Sequence, residues 1–271
     1  MSEKKTFEKG LSLYSKGKYE EALKHFESLT DPSFEIMKYY HIGLVKIQLG
    51  QLEEGLKEYR KIREVNRINQ GVEYDRFMFS LYINMGSTLQ VLAKKKGKKL
   101  YNEAISCYTY ALQIEDNDAR VWNNLGNAYL EIEKNLDAIK SFNKAIELDD
   151  EYPEAHYSIS LVYESLSQYE KAIEHLETAL KWKSQNKIIL NRLAGLCFGK
   201  GELTKAIKYV ELVLKNNPKD PTANKNMSLV LYNMKKYEEA YTYYKIFIDL
   251  DPEFRDPEVQ GIFDDLKNRV N

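Results

Sequence analysis

Apolar residues recur along this chain at helical spacing in short runs, and the arrangement returns every 34 residues. The segment from Ala119, ARVWNNLGNAYLEIEKNLDAIKSFNKAIELDDEY, aligns without a gap on the one from Pro153, PEAHYSISLVYESLSQYEKAIEHLETALKWKSQN, and the blocks from Lys187 and Pro221 have the same length. Within each block two apolar runs flank a polar break such as EKNL or GKGEL. That spacing predicts a helix, a turn and a second helix per block.

Two columns of small residues run through the aligned blocks. Gly126, Ser160, Ala194 and Ser228 occupy the first helix, and Ala138, Ala172, Ala206 and Ala240 the second. Gly10, Gly43 and Gly86 continue the first column upstream, with Ala22, Gly55 and Ala104 in the second. Such columns predict the points where paired helices approach most closely, since only a small side chain lets two backbones meet.

The blocks assigned on this register are 3–35, 36–69, 79–118, 119–152, 153–186, 187–220 and 221–254. Residues 70–78, QGVEYDRFM, fall between the second and third and are expected to lengthen the flanking helices or bend the stack. The third block has about six extra residues around AKKKGKKL, expected to extend its hairpin. Beyond Pro252, Asp256 is placed as an N-cap and Pro257 as the first helical residue, with Val259, Ile262, Phe263, Leu266 and Val270 on one face. A capping helix over 256–270 is therefore expected, covering the apolar end of the array.

Trp122, Leu125, Gly126, Tyr129, Ala138, Phe142 and Ala145, with the 34-residue period, resemble the tetratricopeptide repeat signature across essentially the whole chain. The resemblance implies an all-α fold, a single α-solenoid domain over 1–271 of seven helical hairpins wound as a right-handed superhelix. It also implies protein binding on the face lined by the first helix of each hairpin.

Composition narrows the function. Forty basic against 41 acidic residues leave a net charge of −1, so no long-range field draws the chain to nucleic acid or anionic lipid. The start, MSEKKTFEKG, lacks a secretory apolar stretch, and no run long enough to insert in a membrane is present, so a cytoplasmic location is expected. Cys107 and Cys197 lie more than two blocks apart and are expected as unbridged packing residues. No P-loop, dinucleotide-binding, nucleophile-elbow or paired-cysteine zinc motif occurs. The expectation is a chain with no enzymatic activity, no cofactor, no metal and no small-molecule substrate.

Candidate chemistry is sparse. His156 and His175 share a hairpin with Glu177 nearby, where packing explains them better than metal binding. Lys94, Lys95, Lys96, Lys98 and Lys99 make a local positive field, read as a solvated turn or as a contact for RNA or an anionic surface. Tyr19, Tyr101, Tyr169 and Tyr237 begin second helices and are expected in the core. Projecting the first helices inward places Asn84, Arg120, Asn123, Asn124, Asn127, Tyr157, Asn191, Arg192, Phe198, Lys225, Asn226 and Tyr232 in a binding groove. An asparagine amide both donates and accepts, so it can hold a peptide backbone whatever the ligand's side chains. The partner expected is an extended segment or helix of another protein. A second reading is a co-chaperone that clamps chaperone tails. That clamp's five positions are met here by Asn123, Asn127, Ser158, Ile188 and Arg192, of which two match.

Overall fold

The computed structural model describes residues 2–65 and 72–270. Every regular element among them is helical, and they divide into two compact units, Met1–Leu148 and Asp149–Asn271.

The first unit contains α1 (Glu3–Ser15), α2 (Tyr19–Glu27), α3 (Glu35–Gln48), α4 (Leu52–Val65), α5 (Val72–Lys96), α6 (Lys99–Ile114), α7 (Ala119–Glu131) and α8 (Asn135–Leu148). The second contains α9 (Pro153–Ser165), α10 (Tyr169–Trp182), α11 (Lys187–Gly199), α12 (Leu203–Asn216), α13 (Pro221–Asn233), α14 (Tyr237–Leu250) and α15 (Pro257–Val270). In both units each odd-numbered helix up to α13 packs most extensively on the helix that follows it. Short connections enforce that pairing as helical hairpins.

The hairpin turns repeat in their backbone as well as their sequence. Gly17, Gly50, Glu133, Ser167, Gly201 and Lys235 all have φ between 57° and 78°. In each case the next residue's N–H bonds back to a carbonyl five positions earlier, as in Lys18 to Leu13, Lys134 to Tyr129 and Lys236 to Leu231, each at 3.0 Å. This Schellman closure satisfies helix-end carbonyls and reverses the chain.

The third hairpin is built differently. Residues 72–78 form the first turns of α5, whereas residues 70–71 lie outside the described residues. The lysine-rich extra residues do not make a long turn, because α5 continues to Lys96 and α6 begins at Lys99. Only Gly97, at φ 105°, and Lys98 join the two helices.

The column of small residues in the first helices turns out to serve aromatic rings. A Cβ built on Gly126 would lie 2.6 Å from the Phe142 ring, and the same holds for Gly10 against Phe26, at 2.6 Å. Gly43 meets Tyr59 at 2.5 Å and Gly86 meets Tyr108 at 2.7 Å. Phe26, Tyr59, Tyr108 and Phe142 are fully buried. Backbone approach does occur within the columns, where a Cβ on Gly55 would lie 2.9 Å from the Gly43 carbonyl and Ser228 Oγ donates to the Ala240 carbonyl at 2.9 Å.

At the end of the second unit α15 buries Phe263 and Leu266 completely. The Phe263 ring lies 4.4 Å from that of Tyr244, tilted by 38°, and 5.9 Å from that of Phe247, with Val259, Ile262 and Val270 packed on the same cluster. Asp256 Oδ1 accepts the Val259 N–H at 3.2 Å, which fixes the start of that helix. Tyr101 is buried, but Tyr169 is 41% exposed, so the tyrosines at second-helix starts are not uniformly core. Cys107 and Cys197 are both buried and free.

The socket makes opposite predictions for two helical glycines. Gly126→Ala gains about 1 kcal/mol of helix propensity but forces a methyl into Phe142, at an overpacking cost of roughly 1–3 kcal/mol. At Gly195 nothing lies within 4 Å of where a Cβ would stand, so Gly195→Ala keeps only the gain. Thermal unfolding should rank Gly195→Ala above the parent and the parent above Gly126→Ala. The reverse order of the two variants would remove the socket.

Candidate peptide-binding face

In the first unit the inward positions are largely engaged by the fold. Asn84 Nδ2 donates to the Tyr40 hydroxyl at 3.0 Å. Arg120 is exposed and forks onto Asp118, Nε to Oδ1 at 3.1 Å and Nη2 to Oδ2 at 2.7 Å, while Asp118 also caps α7 through the Arg120 N–H. These donors hold the Asp118 carboxyl below its usual range, the Arg120 side chain foremost. Asn123, expected in the groove, is only 5% exposed and its Oδ1 has no hydrogen-bond partner among the described residues. A helical projection gives a side chain's direction but not how far neighbouring helices close over it. Asn124 is half-buried and its carbonyl accepts from Gln90 Nε2 at 3.0 Å; Asn127 is half-buried on α7.

In the second unit the residues converge. Arg192 Nε donates to Glu164 Oε2 at 2.8 Å, and its guanidinium lies 5.9 Å from the Tyr157 ring centroid. Asn226 Nδ2 donates to the Asn191 carbonyl at 3.3 Å, and Asn191 Nδ2 donates to Asp220 Oδ1 at 3.1 Å. Asp220 is itself buried and caps α13 through the Ala223 N–H at 3.0 Å. Burial alone would raise its pKa, but the Ala223 N–H, the Asn191 amide and Lys187 outweigh that and hold it ionised below the usual carboxylate range.

A rule emerges that projection did not supply. Asn84 reaches Tyr40, Arg192 lies over Tyr157 and Asn226 reaches Asn191. Each joins the sixth inward position of a first helix to the fifth of the preceding one. Asn84 and Asn226 thus stitch successive hairpins together with their side-chain N–H groups.

Two cavities open on this face of the second unit. One, of about 140 Å³, is walled by Pro153, Tyr157, Ile188 and Ile189, with Glu154, Lys183 and Asn186 at its edge. The other, of about 350 Å³, includes Ile188, Asn191, Arg192, Gly195, Asp220 and Asn226 in its lining. Ile188 is common to both and is 57% exposed. The sequence carried a partial signal: among the last four blocks Ile188 is apolar in a column that Arg120, Glu154 and Thr222 fill in the others, although Met37 shares it upstream. Gly195 was also missed, because an absent side chain leaves nothing to project.

The remaining groove residues lie elsewhere. Phe198 packs into the buried clusters of the second unit. Lys225 Nζ sits 5.2 Å from the Phe254 ring. Tyr232, assigned to ligand contact, donates to Asp265 Oδ2 of α15 at 2.5 Å, and Arg269 Nε binds the same oxygen at 2.5 Å.

Of the lysine run, Lys96 pairs with Glu53, and Lys98 pairs with Glu133 at 2.5 Å. His156 and His175 do meet, Nδ1 to Nδ1 at 3.0 Å, with Tyr163 stacked on His175 at 5.5 Å. Glu177 instead accepts from the Tyr209 hydroxyl at 2.8 Å, and no group of three or more potential metal ligands clusters among the described residues.

Helix on helix, a repeating turn and a face of first helices define an α-helical repeat protein of the solenoid class. The chain belongs to the tetratricopeptide repeat family, whose models match residues 126–167 (TPR repeat) and 39–69, 165–229 and 223–254 (tetratricopeptide repeat). Among curated relatives, a peroxisomal targeting signal receptor of Candida glabrata is 30% identical over 80 residues, 30% of this chain and 14% of that one. The protein O-mannosyl-transferase TMTC3 of Homo sapiens is 24% identical over 91% of this chain and 27% of its own. The Hsp70-Hsp90 organizing protein of Triticum aestivum is 29% identical over 36% of this chain and 18% of its own. This chain therefore spans under a third of the length of each of these relatives. Among solved structures, the C-terminal part of a TPR protein from Cytophaga hutchinsonii superposes with a TM-score of 0.71 at 16% identity, covering 94% of this chain and 98% of that one. The fold is shared at that distance. No helix among the described residues is long and apolar enough to cross a membrane.

The histidine pair gives a pH prediction. Burial, helped by the neighbouring His156, lowers the His175 pKa to about 4, and burial lowers that of His156 as well, against a main-chain bond to Asp150. Both are neutral in the fold near pH 7, whereas an unfolded histidine takes a proton near pH 6.5. Stability is complete above that value and falls as pH drops towards 4, by about 1–3 kcal/mol after allowing for partial solvent access. Urea unfolding of the parent and of His175→Phe, which keeps the stacked ring, should diverge between pH 7.5 and 4.5, conditions chosen to bracket about two pKa units. Parallel pH profiles would contradict the assignment.

Proposed function

We propose that the chain is a non-enzymatic scaffold, acting in the cytoplasm without a cofactor, that captures an extended segment of a partner protein on the face formed by α9, α11 and α13. Tetratricopeptide repeats generally mediate protein–protein interaction, and two relatives are by name a targeting signal receptor and an organizer of chaperones. The observation that carries the reading is the pair of adjoining cavities along α11, joined at Ile188, with Gly195 in the lining of the larger.

The chaperone-tail reading is supported less well. Arg192 is already engaged by Glu164, and Ile188 stands where that clamp would place a lysine. The lysine run is likewise a weaker candidate for an anionic surface, since Lys96 and Lys98 have carboxylate partners. The transferase chemistry of TMTC3 belongs to a protein of which this chain matches 27%.

Site-specific photocross-linking tests the assignment. A photoreactive side chain at Thr222, an exposed residue lining the larger cavity, should form adducts with a partner protein in cell extract, whereas the same group at Leu212, exposed on α12, should not. Adducts at 212 alone would move the ligand to another surface.

A further inference from the structure

The chemistry of this face selects among ligands. Asp220 is ionised and can only accept, so the Asn191 amide must turn its Nδ2 towards it. That turns Asn191 Oδ1 the other way, where it is buried without a hydrogen-bond partner among the described residues, so the amide holds Asp220 and offers the ligand nothing. One turn along α11, Gly195 offers bare backbone with nothing within 4 Å of a Cβ position, so an extended main chain can lie close. In the smaller cavity the walls are Pro153, Tyr157, Ile188 and Ile189. The polar edge is already satisfied, with Asn186 Oδ1 accepting the N–H groups of Ile188 and Ile189 and Lys183 paired to Glu154.

Charge settles the rest. Three carboxylates stand along the face, and each is engaged: Glu154 by Lys183, Glu164 by Arg192, and Asp220 by Lys187, Asn191 and its own helix. A cationic ligand group would therefore find none of these anions free of a partner. Resting on the peptide-binding reading above, we propose that the face recognises an extended segment bearing a bulky aliphatic side chain and no adjacent cation. The aliphatic group seats between Tyr157 and Ile188, and the segment's main chain passes over the bare backbone at Gly195. The recognised feature is thus apolar, in contrast to a carboxylate clamp.

A displayed library of random short peptides, selected on the immobilised full chain, tests this directly. Enriched peptides should share an aliphatic position. Changing that residue to alanine in a synthetic peptide should weaken binding by about ten-fold or more. Ile188→Lys and Gly195→Leu should each weaken the parent peptide comparably; both positions are exposed, so neither melting temperature should fall, and either variant alone decides if the other misfolds. Enriched peptides that are basic, or that bind both variants as well as the parent, would overturn this inference while leaving peptide binding intact. Self-association abolished by Ile188→Lys would make a second copy of the chain the occupant and overturn it too. Failure to enrich any peptide would overturn both readings.

Discussion

Each hairpin of the first unit depends on one steric fit: an aromatic ring from the second helix fills the space that a missing side chain leaves on the first. Gly10 with Phe26, Gly43 with Tyr59 and Gly126 with Phe142 are each 16 residues apart, while Gly86 and Tyr108 are 22 apart. The difference of six residues equals the extra length of the third block. The pair is kept in contact because α5 and α6 lengthen together around the Gly97–Lys98 turn. The insertion therefore changes the reach of the hairpin without disturbing its packing. Elsewhere the column uses Ser160, Ala194 and Ser228, opposite Leu176, Val210 and Tyr244 in the same register, all six buried.

This constraint explains why so much of the fold was legible in the sequence. A small residue and a large one at fixed separation, repeated with a 34-residue period, identify hairpins even where other consensus positions drift. The meaning of the column was less visible. Aligned small residues suggest backbone meeting backbone, as at Gly43 and Gly55, yet the ring opposite is the tighter contact at Gly126. Turn conformation was also hidden at Glu133, Ser167 and Lys235, since none is a glycine although all adopt positive φ.

The proposed binding face was legible only in part, for a related reason. Periodicity tells which way a side chain points, so Tyr157, Asn191, Arg192 and Asn226 were found together. It does not tell what the side chain meets on arrival. Asn123 is enclosed, Tyr232 is held by Asp265 of α15, and Asn84 and Asn226 use their N–H groups to join hairpins. Joining and the proposed binding are then linked physically: the contacts that set the spacing of α9, α11 and α13 also leave Ile188 and the Gly195 backbone facing outward. A repeat protein can hold its nearest-neighbour interfaces constant and vary only these few outward groups to change its ligand.

The most direct measurement of the central claim is a double-mutant cycle between Gly126→Ala and Phe142→Leu, followed by urea unfolding. If the ring is what an added methyl strikes, Gly126→Ala should be destabilising in the parent but neutral or stabilising once leucine replaces phenylalanine. The coupling energy should then be about 1 kcal/mol or more. Additive effects, with the glycine variant equally costly in both backgrounds, would contradict the account.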